Sequence, residues 1–239
     1  MKGVKNYSYS SEQAIEETII NNATTINNKK VKLYIEKAVK RVIDIIAGLV
    51  GTILLIPITI GIYIARKMLK EDDGPIFYDQ LRIGKGGKYF KLYKYRSMVI
   101  GADDKLKEYL AENEEAREEY SKYKKLKKDP RITKLGNFLR KTSLDEFPQF
   151  INVLKGDMSL VGPRPYLPRE KEDMGIYYND IVKTKPGLTG LWQVSGRSNT
   201  TFEERLKIEQ EYSSTCGFKT DIKIFFKTFG VVLKHRGAK

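Results

Sequence analysis

An adjacent carboxylate pair, Asp145 and Glu146, stands between two cationic clusters: Arg140 with Lys141 ahead of it, and Arg164 framed by Pro163 and Pro165 behind it. Carboxylates among guanidinium groups suit chemistry on phosphate, where cations neutralise the oxygens while a carboxylate attacks or binds a metal. Ser143, three residues ahead of Glu146, also spells a capping box, so the pair standing alone reads first as the opening turn of a capped helix. Adjacent helical residues point about 100° apart, which casts the two carboxylates in separate roles rather than as a proton-sharing dyad. Phe147, Phe150, Ile151 and Leu154 then recur at helical spacing and Gly156 supplies a stop, which predicts a helix packed on that face. In Gly162-Pro163-Arg164-Pro165 the prolines stiffen the backbone and hold one arginine in a narrow range of directions.

Other chemistries are excluded by composition. A single histidine, His235, and a single cysteine, Cys216, leave no serine-histidine triad, multi-thiolate metal site or internal disulfide. Chemistry therefore falls to carboxylates and cations. The 239 residues carry a formal charge of +14, which points to anionic partners: phosphorylated metabolites, acidic lipid or nucleic acid. Hydrophobic residues make up 41% of the chain, enough to build a core.

Several elements must position these groups. Residues 1–30 are polar, rich in Asn, Ser and Thr and without sustained periodicity, and are expected to form a mobile tail. Residues 31–71 contain an uncharged stretch from Ile45 to Ala65, long enough for a membrane helix, which needs about 20 apolar residues. Pro57 falls in its middle and predicts a break or kink. Lys37, Lys40 and Arg41 precede the stretch and Arg66, Lys67 and Lys70 follow it. Basic residues on both flanks favour keeping both ends on the cytoplasmic side, so a helix that enters and returns competes on even terms with a kinked span. Residues 72–239 are expected to form a cytosolic domain. Within it, Ile76–Ile83 and Lys88–Met98 read as two strands joined by a glycine-rich turn, the second interleaving aromatics with cations including Lys94. That interleaving suits a nucleotide, single-stranded nucleic acid or a lipid surface. Ala102–Lys128 reads as a charge-laced helix or helix pair. A second glycine-rich loop from Lys185 carries Trp192, Gln193 and Arg197. Finally, Ile222, Phe225, Phe226, Phe229, Val232 and Leu233 share a helical face among lysines, a pattern that fits an interfacial helix and a core helix alike.

Taken together and in order, the Pro-broken apolar segment, IFYDQLRIGKGGKYFKLYKYRSM, LRKTSLDEFPQFINVLKGDMSLVGPRP, KPGLTGLWQVSGR and DIKIFFKTFGVVLK resemble the bacterial sugar transferases known as monotopic phosphoglycosyl transferases. The resemblance runs from about Lys37 to the C-terminus. It implies an α-dominated α+β fold: an N-terminal Pro-kinked re-entrant membrane helix, a small β-hairpin and a helical catalytic domain with interfacial amphipathic helices. It implies transfer of a sugar 1-phosphate from a UDP-sugar, with UDP-glucose or UDP-galactose expected, to undecaprenyl phosphate. Asp145 would be the nucleophile and Glu146 the Mg2+ ligand. Arg140, Arg164 and Arg197 would surround the phosphates, with Lys94 and Gln193 as further contacts. The expected location is the cytoplasmic face of the bacterial inner membrane, in the family's short form, with no nucleic-acid partner and with homodimers among the relatives. The sequence departs from the usual pattern in having Ile56 rather than Ser before Pro57, and Phe147 where Leu is common. The competing class is a membrane-tethered binding protein for nucleic acid or acidic lipid.

Overall fold

The apolar stretch lies in a long helix, one face of which packs on the core through Leu55 and Ile62. The computed structural model describes residues 5–71, 74–195 and 200–233, with side chains described for 25–71, 74–195 and 200–230. The chain divides into two compact units, Met1–Val42 and Ile43–Lys239. Helix α1 (Lys5–Met68) opens in the first unit and ends in the second. Helix α1 thus also takes in Lys5 to Lys30. Extending a helix that is already nucleated downstream costs far less than starting one, so a weak pattern is carried along.

In the second unit α1 has two contrasting faces. Asp44, Leu55 and Ile62 are buried against the rest of the fold, whereas Ile46, Leu49, Val50, Ile53, Ile56 and Ile60 are exposed. By length and composition the helix is able to cross a membrane. Its inward face is notched by Gly48 and Gly51, where an added Cβ would meet the Leu154 backbone N at 2.9 Å and run into the Phe150 ring. Helix α5 (Gln149–Lys155) beds into that notch. The buried Asp44 carboxylate accepts from Ser159 Oγ at 3.0 Å and from the Leu160 backbone N–H at 2.8 Å.

The helix runs on through Pro57 instead of stopping there, although the proline contributes no N–H to the ladder. Thr59 Oγ1 donates to the Leu55 carbonyl at 2.6 Å and lies 2.7 Å from the Tyr95 hydroxyl. A tyrosine from the neighbouring strand thereby brings polar support beside the proline, where Ile56 has none to give.

The hairpin forms as expected. Strands β1 (Phe77–Ile83) and β2 (Tyr89–Tyr95) pair antiparallel, Gln80 opposite Leu92 and Arg82 opposite Phe90. The charged segment is a helix pair, α2 (Ala102–Glu112) and α3 (Glu114–Tyr123). Helix α4 (Lys134–Thr142) begins at Thr133, whose hydroxyl caps the Gly136 N–H at 2.9 Å. After α5 come β3 (Ser159–Val161), the short helices α6 (Lys171–Met174) and α7 (Tyr178–Ile181), and β4 (Gly187–Thr189), which pairs parallel with β3. Helices α8 (Leu191–Ser195), α9 (Phe202–Thr215) and α10 (Phe218–Leu233) complete the fold.

The two glycine-rich motifs cross backbone to backbone. The Gly162 N–H donates to Thr189 O at 2.9 Å and the Gly187 N–H to Pro163 O at 2.8 Å. A Cβ on Gly162 would strike the Lys185 carbonyl, and one on Gly187 would strike Gly162. On α10, Asp221 and Ile224 are buried, while the expected apolar residues Ile222, Phe225, Phe226 and Phe229 remain exposed.

Because Asp44 satisfies two buried donors with one oxygen, Asp44→Ala should destabilise the fold by about 1–3 kcal/mol, the penalty for orphaned buried polar groups. Asp44→Asn, which retains a side-chain oxygen, should lose much less. Thermal unfolding of the detergent-purified variants reads the difference.

Candidate functional site

The carboxylate pair does not open a helix. Ser143 closes α4 from the left-handed region, at φ 58°, and its side chain makes no capping bond. A single 3-10 turn, Leu144–Glu146, follows, and α5 starts only after Pro148. The expected capping box is therefore absent: a residue committed to ending one helix cannot adopt the extended backbone needed to cap the next. The tight turn places the two carboxylates in different surroundings. Asp145 is buried, and Glu146 reaches Lys94 Nζ, on β2, at 2.9 Å.

Burial pushes the Asp145 carboxyl up to about 6. The Lys94 charge pulls it down, Glu146 pushes it up, and Arg140 pulls it down more weakly. The same Arg140 donates Nε–H to Ser97 Oγ at 2.9 Å, which fixes it on the flank of the turn.

Beside the turn lies a pocket of about 280 Å3. Lys94, Glu146, Arg164 and Gln193 all line it, so four of the expected residues meet at one place. Asp145 is not in that lining; it precedes Glu146 in the turn and feels the charges of Lys94, Glu146 and Arg140. Arg197 lies outside the described residues.

Two further lining residues, Arg82 and Gln149, escape sequence inspection. In β1 the usual order is inverted: Leu81 is 48% exposed and Arg82 only 6%. Strand alternation sets Gln80 and Arg82 on one face, a signal that hydropathy hides because the charged residue is the inner one.

Arg164 is held from behind by α9. Its backbone N–H donates at 3.0 Å to Glu209 Oε1, whose carboxylate is fully buried. The Trp192 ring has the Arg205 guanidinium 4.3 Å from its centroid and that of Arg164 at 5.7 Å, and its Nε1–H donates to Thr200 Oγ1 at 2.7 Å. The tryptophan thus stacks against arginines. Arg205 and Glu209 lie one helical turn apart on the buried face of α9, with Leu206 and Tyr212.

These features define a helix-dominated α+β protein with a small hairpin, one long apolar helix, and a cation-rich pocket next to a buried carboxylate. Residues 35–235 match the family model described as bacterial sugar transferase. The chain is 48% identical over 202 residues to an undecaprenyl-phosphate galactose phosphotransferase of Salmonella typhimurium, covering 83% of this chain and 41% of that protein. It is 36% identical over 206 residues to the UDP-glucose:undecaprenyl-phosphate glucose-1-phosphate transferase of Escherichia coli, covering 81% and 40%. It is 39% identical over 202 residues to the exopolysaccharide production protein ExoY of Rhizobium meliloti, covering 83% and 87%. The chain therefore belongs to the bacterial sugar transferase family. It spans about two fifths of the Salmonella and Escherichia proteins and most of the Rhizobium one.

Glu209 gives the site a pH signature. Burial raises its carboxyl from an ordinary 4.5 to about 7, against the pull of the Arg164 N–H bond and the Arg164 and Arg205 charges. The folded protein then holds the proton more tightly than the unfolded chain, so this contribution to stability is present below 4.5 and lost as pH rises through about 7. At roughly 1.4 kcal/mol per unit, wild type should lose a few kcal/mol relative to Glu209→Gln across that window. Denaturant unfolding of both proteins at a series of pH values measures the difference.

Proposed function

We propose that the protein transfers a sugar 1-phosphate from a UDP-hexose to undecaprenyl phosphate, at the cytoplasmic face of the inner membrane, in the first membrane step of polysaccharide assembly. The observation that carries this is the convergence of Lys94, Glu146, Arg164 and Gln193 on one pocket beside the buried Asp145. Relatives named for galactose and glucose transfer support a hexose donor.

In the first step an Asp145 carboxylate oxygen attacks the β-phosphorus of the donor. The bond from that phosphorus to the bridging oxygen breaks, UMP leaves with the electron pair, and the sugar phosphate stays on Asp145 as an acyl phosphate. In the second step a phosphate oxygen of undecaprenyl phosphate attacks the same phosphorus. The Asp145 carboxylate is released and an undecaprenyl diphosphate sugar forms. Dividing the transfer in two avoids bringing both anionic substrates together at once. Lys94 and Arg164 offset charge on the phosphates, the planar guanidinium being able to take two oxygens together. Arg140 holds the turn and counters the charge on Asp145. Burial of Asp145 keeps water from its oxygens and limits hydrolysis of the acyl phosphate.

Mg2+ fits this donor set. No group of three His, Cys, Asp or Glu residues gathers as a metal site among the described residues. Mg2+, however, ordinarily takes one or two carboxylates and completes its shell with water and substrate phosphates. Glu146 is the carboxylate facing the pocket and would be that ligand. When bound, the ion supplies charge neutralisation at the phosphates.

The apolar part of α1 enters the bilayer, and on binding the membrane the helix, continuous in this structure, bends at Pro57 so that both ends stay on the cytoplasmic face, a course favoured by basic residues on both flanks. The exposed Phe225, Phe226 and Phe229 of α10, set among Lys219, Lys223 and Lys227, lie at the lipid interface.

Purified protein incubated with Mg2+ and a UDP-hexose labelled in the sugar should form a covalent adduct and release UMP, and Asp145→Asn should abolish the adduct and cut turnover by roughly a thousandfold or more. Salt-sensitive RNA binding without UMP release would overturn the proposal. For topology, in a Cys216→Ser background, cysteines placed at Glu36 and Lys70 should both react with a membrane-impermeant reagent only from the cytoplasmic side. Reaction from opposite sides would make α1 a span.

A further inference from the structure

The pocket holds a cation that the transfer scheme leaves unused. Arg82 lines it together with Lys94 and Arg164, three cations against the single carboxylate of Glu146. Arg82 is 94% removed from solvent by the fold, at 6% exposure. Burying a guanidinium is costly unless its donors and its charge are answered. Here they are answered only in part. Nη1 donates to Pro165 O at 2.9 Å and Nη2 to Gln80 Oε1 at 2.6 Å, both neutral acceptors. Nε has no acceptor among the described residues, and neither does Nε of Arg164. Burial and the nearby Arg164 charge both work against ionisation of Arg82, drawing it down to about 10, while the Glu170 and Glu146 charges counter in part.

A purely architectural role explains this poorly. The bond to Pro165 ties β1 to the proline-framed loop, but that loop is already tied at three backbone points: Ile83 N–H to Tyr166 O at 2.9 Å, Gly187 N–H to Pro163 O at 2.8 Å, and Arg164 N–H to Glu209 at 3.0 Å. An apolar residue at position 82 would leave all three in place. What the buried guanidinium adds is positive charge and an unanswered N–H next to a second arginine in the same condition.

We propose that Arg82 and Arg164 form a paired anion clamp for the nucleotide phosphate of the donor, the group that departs as UMP, with Arg82 a direct phosphate ligand in the transfer. The inference rests on the donor being a nucleoside diphosphate sugar, as argued above. An oxyanion between the two guanidiniums relieves their mutual repulsion, accepts from donors that otherwise lack partners, and stabilises charge on the leaving phosphate as the bridging bond breaks. Gln80, which accepts from Arg82, sets how much of the arginine's charge reaches the pocket.

UMP is the direct probe, through product inhibition of turnover and equilibrium binding to the full chain in detergent. Arg82→Met should weaken UMP on the order of tenfold to a hundredfold, as expected for losing a charge-assisted contact, and Arg82→Lys should recover part of that. The discriminating variant is Gln80→Glu. It preserves the acceptor for Arg82 Nη2 and the bond to Pro165, but places a negative charge against the guanidinium. An anion clamp requires Gln80→Glu to weaken UMP with no loss of thermal stability, whereas a structural clamp requires unchanged UMP affinity. Unchanged UMP affinity in both Gln80→Glu and Arg82→Lys would overturn the inference while leaving the transfer reaction standing. Failure of the wild-type protein to bind UMP at all would instead remove the proposed function, and the clamp with it.

Discussion

Everything around the pocket depends on burying like charges close together without leaving them uncompensated. Arg82, Arg164 and Arg205 are drawn into one region of a small fold, and the Arg164 charge raises the cost of ionising both Arg82 and Arg205. The fold answers with carboxylates that are themselves buried and tied to backbone. Glu209 takes the Arg164 N–H, and Glu170 takes the Leu167 N–H at 2.7 Å. Trp192 adds an electron-rich face between two of the arginines. The positions of β1, α9 and the proline-framed loop are consequences of that compensation as much as of apolar packing.

The apolar helix meets the same requirement from the other side. Its inward face touches α5 through Gly48 and Gly51, β3 through Asp44, and β2 through Thr59 and Tyr95. Lys94 is the residue next to Tyr95. The strand that pairs with Glu146 and the strand that braces α1 beside Pro57 are therefore one and the same, and the group beside the pocket and the group beside α1 are separated by a single peptide unit.

Much of this was legible in the sequence where a residue type has only one economical use. The hairpin, the charged helix pair, the stop at Gly156 and the uncharged stretch of α1 follow from periodicity and glycine placement, and Lys94, Glu146, Arg164 and Gln193, singled out by residue type and motif, line one pocket. The rest was hidden for physical reasons. Ser143 fits two roles, and only the chain geometry after α4 decides that it ends a helix instead of starting one. The buried face of α9 includes Arg205 and Glu209, so it carries no clean apolar stripe. Arg82 occupies an inner strand position that hydropathy would give to Leu81. The residues least visible to pattern are the buried charges, because their value lies in partners distant along the chain.

The crossing of the two glycine motifs has a consequence for how such a protein can diversify. At Gly162 and Gly187 the main chains touch with no side chain between them, and each segment supplies the other's hydrogen bonds. Lengthening either loop would break the other, so the back wall of the pocket is fixed in shape. A lineage that needs to alter the pocket is left with exchanging side chains around a constant frame, and the frame itself can be inherited unchanged.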